Sequence, residues 1–199
     1  MSGRESIVQI DVDAELQKII RQLNSLPDQI AAPDILKNAL NATARKVRKQ
    51  LVKDAKGQYA IKDTEVLKDE DRGAPKVLAA TTANMSAAIQ SRGPMQEIMT
   101  FMTRPNQGAG AAAAKVLASG GMKSLEIDGL KAFVTKFASG HVAIVQRRGP
   151  DRLPVKKLLS PAVPFMLGNE AVISQAEALT YETLQAEIQK RIDKTLGRA

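Results

Sequence analysis

The chain has 199 residues with 29 Lys and Arg against 21 Asp and Glu, and this net charge of +8 favours an acidic partner such as nucleic acid, anionic lipid or an acidic protein face. It contains no cysteine, which excludes disulfides and cysteine-ligated zinc, and no apolar run approaches the roughly 18 residues of a membrane span. The length predicts one domain, and with only 3% aromatic residues its core should consist of Leu, Ile, Val, Ala and Met.

The N-terminal part of the chain predicts a short strand and two helices. Residues 7–12 alternate as a strand does, and apolar residues recur at helical spacing over 13–23 behind a capping Asp13. We expect residues 1–27 to form an N-terminal arm and 28–199 the main domain. A longer helix is predicted over 33–56 because one apolar stripe follows steps of three and four: Leu36, Leu40, Ala44, Val47, Leu51 and Ala55.

Cations crowd the second half of this long helix. They could form a face for DNA or for an acidic partner subunit. They could equally be a solvated face near a helix C-terminus, where positive charge is favourable. No aromatic residue interleaves with them, which argues against a single-strand site that stacks bases. The candidates are Arg45, Arg48, Lys49 and Lys53.

The middle of the chain predicts a short helix and then a meander. Residues 61–68 form a helix capped by Asp63 or Thr64, and strands follow at 76–82, 85–90, 97–103 and 111–118. The Gly-rich loop 104–110 lacks the Lys-Ser/Thr pair of a phosphate-binding loop, so we predict no nucleotide site there.

A β-hairpin is predicted next, from two β-type runs at 133–137 and 141–148 joined by Ala138-Ser139-Gly140. Gly149-Pro150-Asp151 ends the second run with turn chemistry, and 152–155 is extended because of Pro154. The bend carries the second set of basic candidates: Arg147, Arg148 and Arg152.

The last helix is expected to begin at Ser160 or at Asn169 and to end near Thr195. Ser160-Pro161 has the pattern of an N-cap followed by proline at the first helical position. The apolar edge of this helix consists of Ala176, Leu184, Ile188, Ile192 and Leu196.

The sequence offers little for catalysis. His141 is the only histidine, and at a strand start it predicts a structural hydrogen bond rather than a general base; no His-based triad is recognisable. Glu70-Asp71 lies beside Lys68 and Arg72, which indicates a solvated charge run rather than a metal site. We therefore predict no enzyme activity, no catalytic residue, no cofactor and no metal.

An ordered set of short motifs resembles the phage minor tail protein Z family. The resemblance covers roughly residue 35 to the C-terminus. The family usually has Gly-Pro-Ser where this chain has Ser160-Pro161-Ala162. The matching segments are Ala39-Leu40-Asn41, Tyr59-Ala60-Ile61-Lys62, Ala132-Phe133-Val134, Ser139-Gly140-His141, Arg152-Leu153-Pro154-Val155, Leu159-Ser160-Pro161-Ala162-Val163-Pro164 and Met166-Leu167-Gly168-Asn169-Glu170.

The pattern and the resemblance together predict an α+β fold with long N-terminal helices, a central antiparallel sheet or meander, and a long C-terminal helix. The resemblance implies a structural virion protein that completes the head-proximal end of the tail at the neck, with 28–199 as the tail-completion domain, assembled in the host cytoplasm. Its implied partners are its own copies in a ring, with a hexamer as the candidate, and tail terminator, tail tube or head-connector proteins. Non-specific contact with packaged DNA stays open, and no membrane is implied.

Two other classes of function remain as alternatives. A basic nucleic-acid-binding protein would bind duplexes tightly, with an affinity that falls steeply with salt. An enzyme would have a pocket that contains perturbed titratable groups.

Overall fold

The computed structural model describes residues 6–10, 32–105, 110–195 and 197. The fold is α+β, as predicted, with long helices and antiparallel strands that are divided among several small sheets. The chain forms two compact units. We call 54–74 with 92–166 the sheet unit, and the described parts of 5–53, 75–91 and 167–199 the helical unit.

The elements are numbered in chain order. The helices are α1 (Ala32–Gln58), α2 (Val163–Leu167) and α3 (Glu170–Thr195), and short 3-10 helices cover Thr64–Leu67 and Ile98–Thr100. The strands are β1 (Ser6–Ile10), β2 (Lys76–Leu78), β3 (Ala87–Ser91), β4 (Gln96–Glu97), β5 (Met102–Arg104), β6 (Ala113–Lys115), β7 (Lys123–Ser124), β8 (Glu126–Ile127), β9 (Leu130–Lys131), β10 (Phe133–Lys136), β11 (Val142–Arg147), β12 (Val155–Lys157) and β13 (Leu159–Ser160).

The predicted long helix is confirmed as α1, and all six residues of its apolar stripe are buried. Asp34 in the first turn and Lys56 in the last suit the helix dipole. In the helical unit, Leu40 and Ala44 of α1 share one core with Leu184 and Ile188 of α3. Burying each large side chain contributes roughly 1.5–3 kcal/mol, so this apolar contact fixes which face of α1 remains in solvent.

A three-stranded antiparallel sheet, ordered β1-β3-β2, completes the helical unit. The strand predicted at 7–12 is observed as β1, whose Ile10 pairs with Ala87 of β3. The helix predicted over 13–23 lies outside the described residues, so the separate N-terminal arm stays a prediction. Asn41 of α1 accepts a hydrogen bond from the Ala80 N–H at 2.7 Å and donates one to the Ala80 carbonyl at 3.0 Å. This amide fixes the chain beyond β2 to the helix.

The predicted hairpin is confirmed in the sheet unit as β10 and β11, paired from Phe133↔Val145 to Lys136↔Val142. Gly140 has a φ of 83°, which the turn requires and which glycine adopts without strain. β12 extends the hairpin into a three-stranded sheet. The core beneath it contains Val134 and Ile144 together with Ile98, Ala112, Ala114 and Ala132.

The prediction of a single strand over 97–103 is wrong, because a 3-10 turn separates the segment into β4 and β5. The Phe101 N–H bonds the Ile98 carbonyl at 3.1 Å, and this turn buries both side chains. A regular strand would direct these two residues, three positions apart, to opposite faces. Burial of Phe101 therefore overrides the local β pattern.

The other middle elements are shorter than predicted. The strand expected over 76–82 ends at Leu78 because Ala80 bonds Asn41 and the Thr81 N–H bonds the Asn84 carbonyl at 2.8 Å. The strand expected over 85–90 begins only at Ala87. The helix expected over 61–68 is the 3-10 turn Thr64–Leu67, capped by Asp63. Of residues 111–118, only β6 is a strand.

The start of the last helix is at Asn169 and not at Ser160. Ser160 lies in β13, pairs with Gln96 of β4, and donates its hydroxyl to the Gln96 carbonyl at 3.1 Å. Its backbone is therefore committed to a ladder. The Asn169 side chain instead accepts the Ala171 N–H at 3.1 Å and caps α3. Leu196 of the predicted apolar edge lies outside the described residues.

Three segments of the sheet unit meet closely at Gly73, Gly93 and Pro164, which we call the glycine junction. A Cβ built on Gly93 would lie 2.5 Å from the Arg72 carbonyl oxygen and 2.6 Å from the Gly73 Cα. A Cβ on Gly73 would lie 3.1 Å from the Pro164 Cδ. The first two distances are shorter than van der Waals contact allows, so the junction requires glycine at position 93.

Replacing Gly93 by Ala should destabilise the protein by about 1–3 kcal/mol, because a methyl group must displace backbone. Urea unfolding measures this change. The control is Gly57→Ala in α1, where a Cβ meets nothing within 4 Å and helix propensity should stabilise by up to about 1 kcal/mol. A Gly93→Ala variant as stable as the wild type would show that the junction is not close-packed.

Candidate interaction surfaces

Four basic candidates of the sequence lie on one exposed face of α1: Arg45, Arg48, Lys49 and Lys53. We call them the α1 stripe. Their separations of three, one and four residues place them opposite the buried stripe that anchors the helix. None of the four forms an ion pair with a described residue. The described part of the chain thus leaves these charges for solvent or for a partner.

Lys46, which lies beside the stripe, has a structural role. Its Nζ is 2.6 Å from Oε1 of Glu187 on α3, and Glu187 also binds Arg191. The Glu187 side chain is only 9% exposed. The hydrogen bonds from Arg191 and then Lys46 outweigh the opposing effect of burial and lower the pKa of this carboxyl to about 2. The three charges hold α1 to α3.

A polar cleft of about 490 Å³ lies between α1 and α3 in the helical unit. Arg45 of the α1 stripe lines it together with Arg191 and Lys194 of α3. Sequence reasoning missed the two α3 cations because only the packing of the helices brings them near Arg45. The remaining lining residues are Asp34, Ile35, Asn38, Asn41 and Thr195.

The second predicted set, Arg147, Arg148 and Arg152, lies exposed at the connection from β11 to β12. We call residues 147–153 the basic bend. The Arg147 guanidinium carbon is 5.7 Å from the centroid of the Phe133 ring, a cation–π distance that orients the side chain. Leu153 is 68% exposed. The bend therefore combines positive charge with an exposed apolar side chain, and none of its three arginines pairs with a described carboxylate.

The two basic surfaces belong to different units. The α1 stripe is part of the helical unit, and the basic bend is part of the sheet unit. We therefore treat the α1 stripe and the basic bend as two separate candidate surfaces.

His141 makes the structural hydrogen bonds that its position predicts. Its Nε2 lies 3.0 Å from Oε2 of Glu97, and Lys157 Nζ lies 2.8 Å from Oε1 of the same carboxyl. The imidazole stacks on Phe137 with centroids 6.3 Å apart. Burial by itself would raise the pKa of Glu97. The Lys157 hydrogen bond and the charges of His141 and Lys157 together outweigh burial, so the pKa lies below its ordinary value. The cluster connects the hairpin turn, β12 and β4.

An exposed acidic segment, Asp69-Glu70-Asp71, precedes the glycine junction, and we call it the acidic loop. Asp69 Oδ1 accepts the Asp71 N–H at 3.0 Å, which shapes the turn. Arg72 follows, and its guanidinium bonds Gln96 Oε1 at 3.0 Å and Asp63 Oδ2 at 3.1 Å. Arg72 is thus used within the sheet unit, and the described residues contain no His/Asp/Glu group suited to a metal ion.

Comparison with protein-family models, with curated proteins and with solved structures finds no match to this chain. Within the described residues, no helix is both long and apolar enough to cross a membrane. The resemblance to the phage minor tail protein Z family stays a prediction.

Replacing Glu187 by Gln should cost about 1–2 kcal/mol at neutral pH, because Lys46 and Arg191 lose their charged partner. Folding lowers the pKa of this carboxyl from 4.5 to about 2. The stabilisation in the wild type is therefore complete above the unfolded value and is lost as the pH falls towards the folded one. Urea unfolding from neutral pH down to about pH 2 should show a shallower acid loss in the variant. Glu182→Gln, an exposed change on the same helix, is the control; equal acid loss in wild type and Glu187→Gln would contradict the assignment.

Proposed function

We propose that this chain is a structural virion protein of a phage tail, which completes the head-proximal end of the tail at the head–tail joint. It acts by protein–protein assembly into a ring of its own copies and transforms no substrate. The observation that carries the proposal is the ordered set of motifs, from Ala39-Leu40-Asn41 to Met166-Leu167-Gly168-Asn169-Glu170, that resembles the minor tail protein Z family.

The residues of these motifs have structural roles in this chain, which supports the proposal. Asn41 bonds both backbone groups of Ala80. Tyr59 packs edge-on against Phe101 with ring centroids 6.4 Å apart. Gly140 makes the hairpin turn. Residues that are shared because they build a scaffold are expected in a protein that works through its surfaces.

The C-terminal motifs follow the same rule. Ser160 joins β13 to β4, Pro164 lies at the glycine junction, and Asn169 caps α3. These roles are distributed over turns, ladders and a cap, and they do not converge on one pocket. A set of residues selected for chemistry would instead be expected to surround a single reacting centre.

The exposed side chains supply what assembly needs. Both basic surfaces lack internal ion-pair partners among the described residues, so neighbouring proteins of the joint or the DNA that passes through it can neutralise them. Apolar side chains are exposed as well, and apolar anchors with Arg are typical of protein interfaces. The large ones in the sheet unit are Met95, Met102, Leu117, Met122, Ile127, Leu153, Leu159 and Phe165.

Reversing two charges of the basic bend, Arg147→Glu with Arg148→Glu, should impair the joining of heads to tails and lower the infectious titre by about tenfold or more. Like charges at an interface cost enough for such a loss. The measurement is complementation of a phage that lacks the gene, with plaque counts and electron microscopy of joined particles.

The matched control reverses two other exposed cations of the sheet unit, Lys123→Glu with Lys136→Glu. It carries the same change in net charge and should support normal titres. Normal joining and infectivity in the Arg147→Glu/Arg148→Glu phage, or virions that lack the polypeptide, would overturn the proposal.

The alternative function is that of a basic nucleic-acid-binding protein, and the cleft favours it. Arg45 and Lys194 converge there from two helices, next to the rest of the α1 stripe, and Arg191 lines the same cleft while it pairs with Glu187. Such a protein would bind duplex DNA on its own, and each phosphate contact would contribute about −0.9 to the slope of log affinity against log salt. The proposed assembly role instead requires that the protein be present in virions, whether or not the purified protein binds DNA.

A further inference from the structure

The sheet unit carries opposite charges at two separate places. One is the basic bend, where Arg148 and Arg152 are exposed beside Leu153. The other is the acidic loop, where Asp69 and Asp71 are exposed. The cations nearest to the loop in sequence are already engaged, since Lys68 pairs with Glu65 and Arg72 with Asp63.

Hydrogen bonds show that these two places lie at opposite ends of one extended run. Val155 pairs with Arg147 at the basic bend. Five residues later, Ser160 bonds the backbone of Gln96, whose side chain accepts a hydrogen bond from Arg72 beside the acidic loop. At about 3.3 Å per residue, the run spans roughly 16 Å.

Each of the two ends also presents apolar surface. Leu153 is 68% exposed at the basic end. At the acidic end the glycine junction brings Gly93 and Pro164 against Gly73. The residues next to them, Met95 and Phe165, are 53% and 48% exposed. Both ends therefore have the composition of an interface, an apolar side chain surrounded by charge.

We propose that copies of this chain join head to tail through these ends, with the basic bend of one copy on the acidic loop of the next. Arg148 and Arg152 face Asp69 and Asp71, and Leu153 packs against the exposed apolar side chains beside the glycine junction. The contact is heterologous, so repeating it closes a ring or extends a filament according to the rotation per step. Only the closed ring rests on the proposed function; the contact itself does not.

Charge complementarity favours a second copy whose acidic loop lies on the basic bend. Each basic bend has three arginines and one aspartate, Asp151, so a contact of two basic bends would bring two net positive surfaces together, and a contact of two acidic loops would oppose aspartates. Like charges brought together in this way are strongly unfavourable. Bend on loop is therefore the pairing that brings opposite charges together. A two-fold dimer would make this contact twice and stop at two copies, whereas the head-to-tail contact continues beyond two.

The test reverses one charge at each end, with Arg152→Glu and Asp71→Lys made separately in the full chain. Sedimentation at low salt measures self-association. Each single variant should associate about tenfold or more weakly than the wild type, because the reversed side chain now faces a like charge on the next copy. An equimolar mixture of the two variants should recover, since every mixed contact pairs a new acid with a new lysine or the original arginine with the original aspartate.

Lys136→Glu, an exposed cation of the sheet unit outside both basic surfaces, is the control with the same change in net charge as Arg152→Glu, and it should associate like the wild type. Thermal unfolding verifies that each variant folds. A wild type that is monomeric or that stops at a dimer, single variants with unchanged association, a control that loses association, or a mixture that does not recover would each overturn the proposal. If the mixture of variants recovers self-association but virions lack the polypeptide, the contact between copies stands and the proposed function is rejected.

Discussion

Two glycines allow three segments of the sheet unit to approach more closely than side chains would permit. A Cβ added to Gly93 would lie only 2.5 Å from the Arg72 carbonyl oxygen, so the backbone of residues 72–73 packs directly against the backbone of Gly93. Arg72 can then reach Gln96 and Asp63 at 3.0 and 3.1 Å. The residues that follow the acidic loop are consequently held against Gly93 and Gln96, at the end of the extended run that leads to the basic bend. The acidic end of the proposed contact between copies depends on this junction.

The distribution of charge is more informative than its net value of +8. Lys46, Arg72 and Lys157 each bind a carboxylate inside their own unit, and the pairs of Lys46 and Lys157 connect elements distant in sequence. The cations of the α1 stripe and the basic bend form no ion pair with described residues. Exposed ion pairs contribute little to stability, so cations left unpaired cost the fold little and remain available for contacts between molecules. This division supports a protein whose work is assembly.

Local patterns predicted the elements that local forces determine. The stripe from Leu36 to Ala55 predicted α1, and turn chemistry at Gly140 predicted the hairpin, since both signals lie within a few residues. Patterns failed where distant partners decide. Ser160 has the chemistry of an N-cap but pairs with Gln96, and burial of Phe101 breaks an expected strand. The basic candidates could be found from sequence, whereas Arg191 and Lys194 joined the cleft only through helix packing, and the glycine junction has no signal in sequence.

The most direct test of the proposed contact between copies uses the absence of cysteine from the chain. Two single variants, Leu153→Cys and Phe165→Cys, would be purified reduced, mixed and oxidised under mild conditions. If copies meet head to tail, we expect covalent dimers that contain one chain of each variant, with little linkage in either variant alone. Linkage of each variant only to itself, or none in the mixture, would contradict assembly through these two ends.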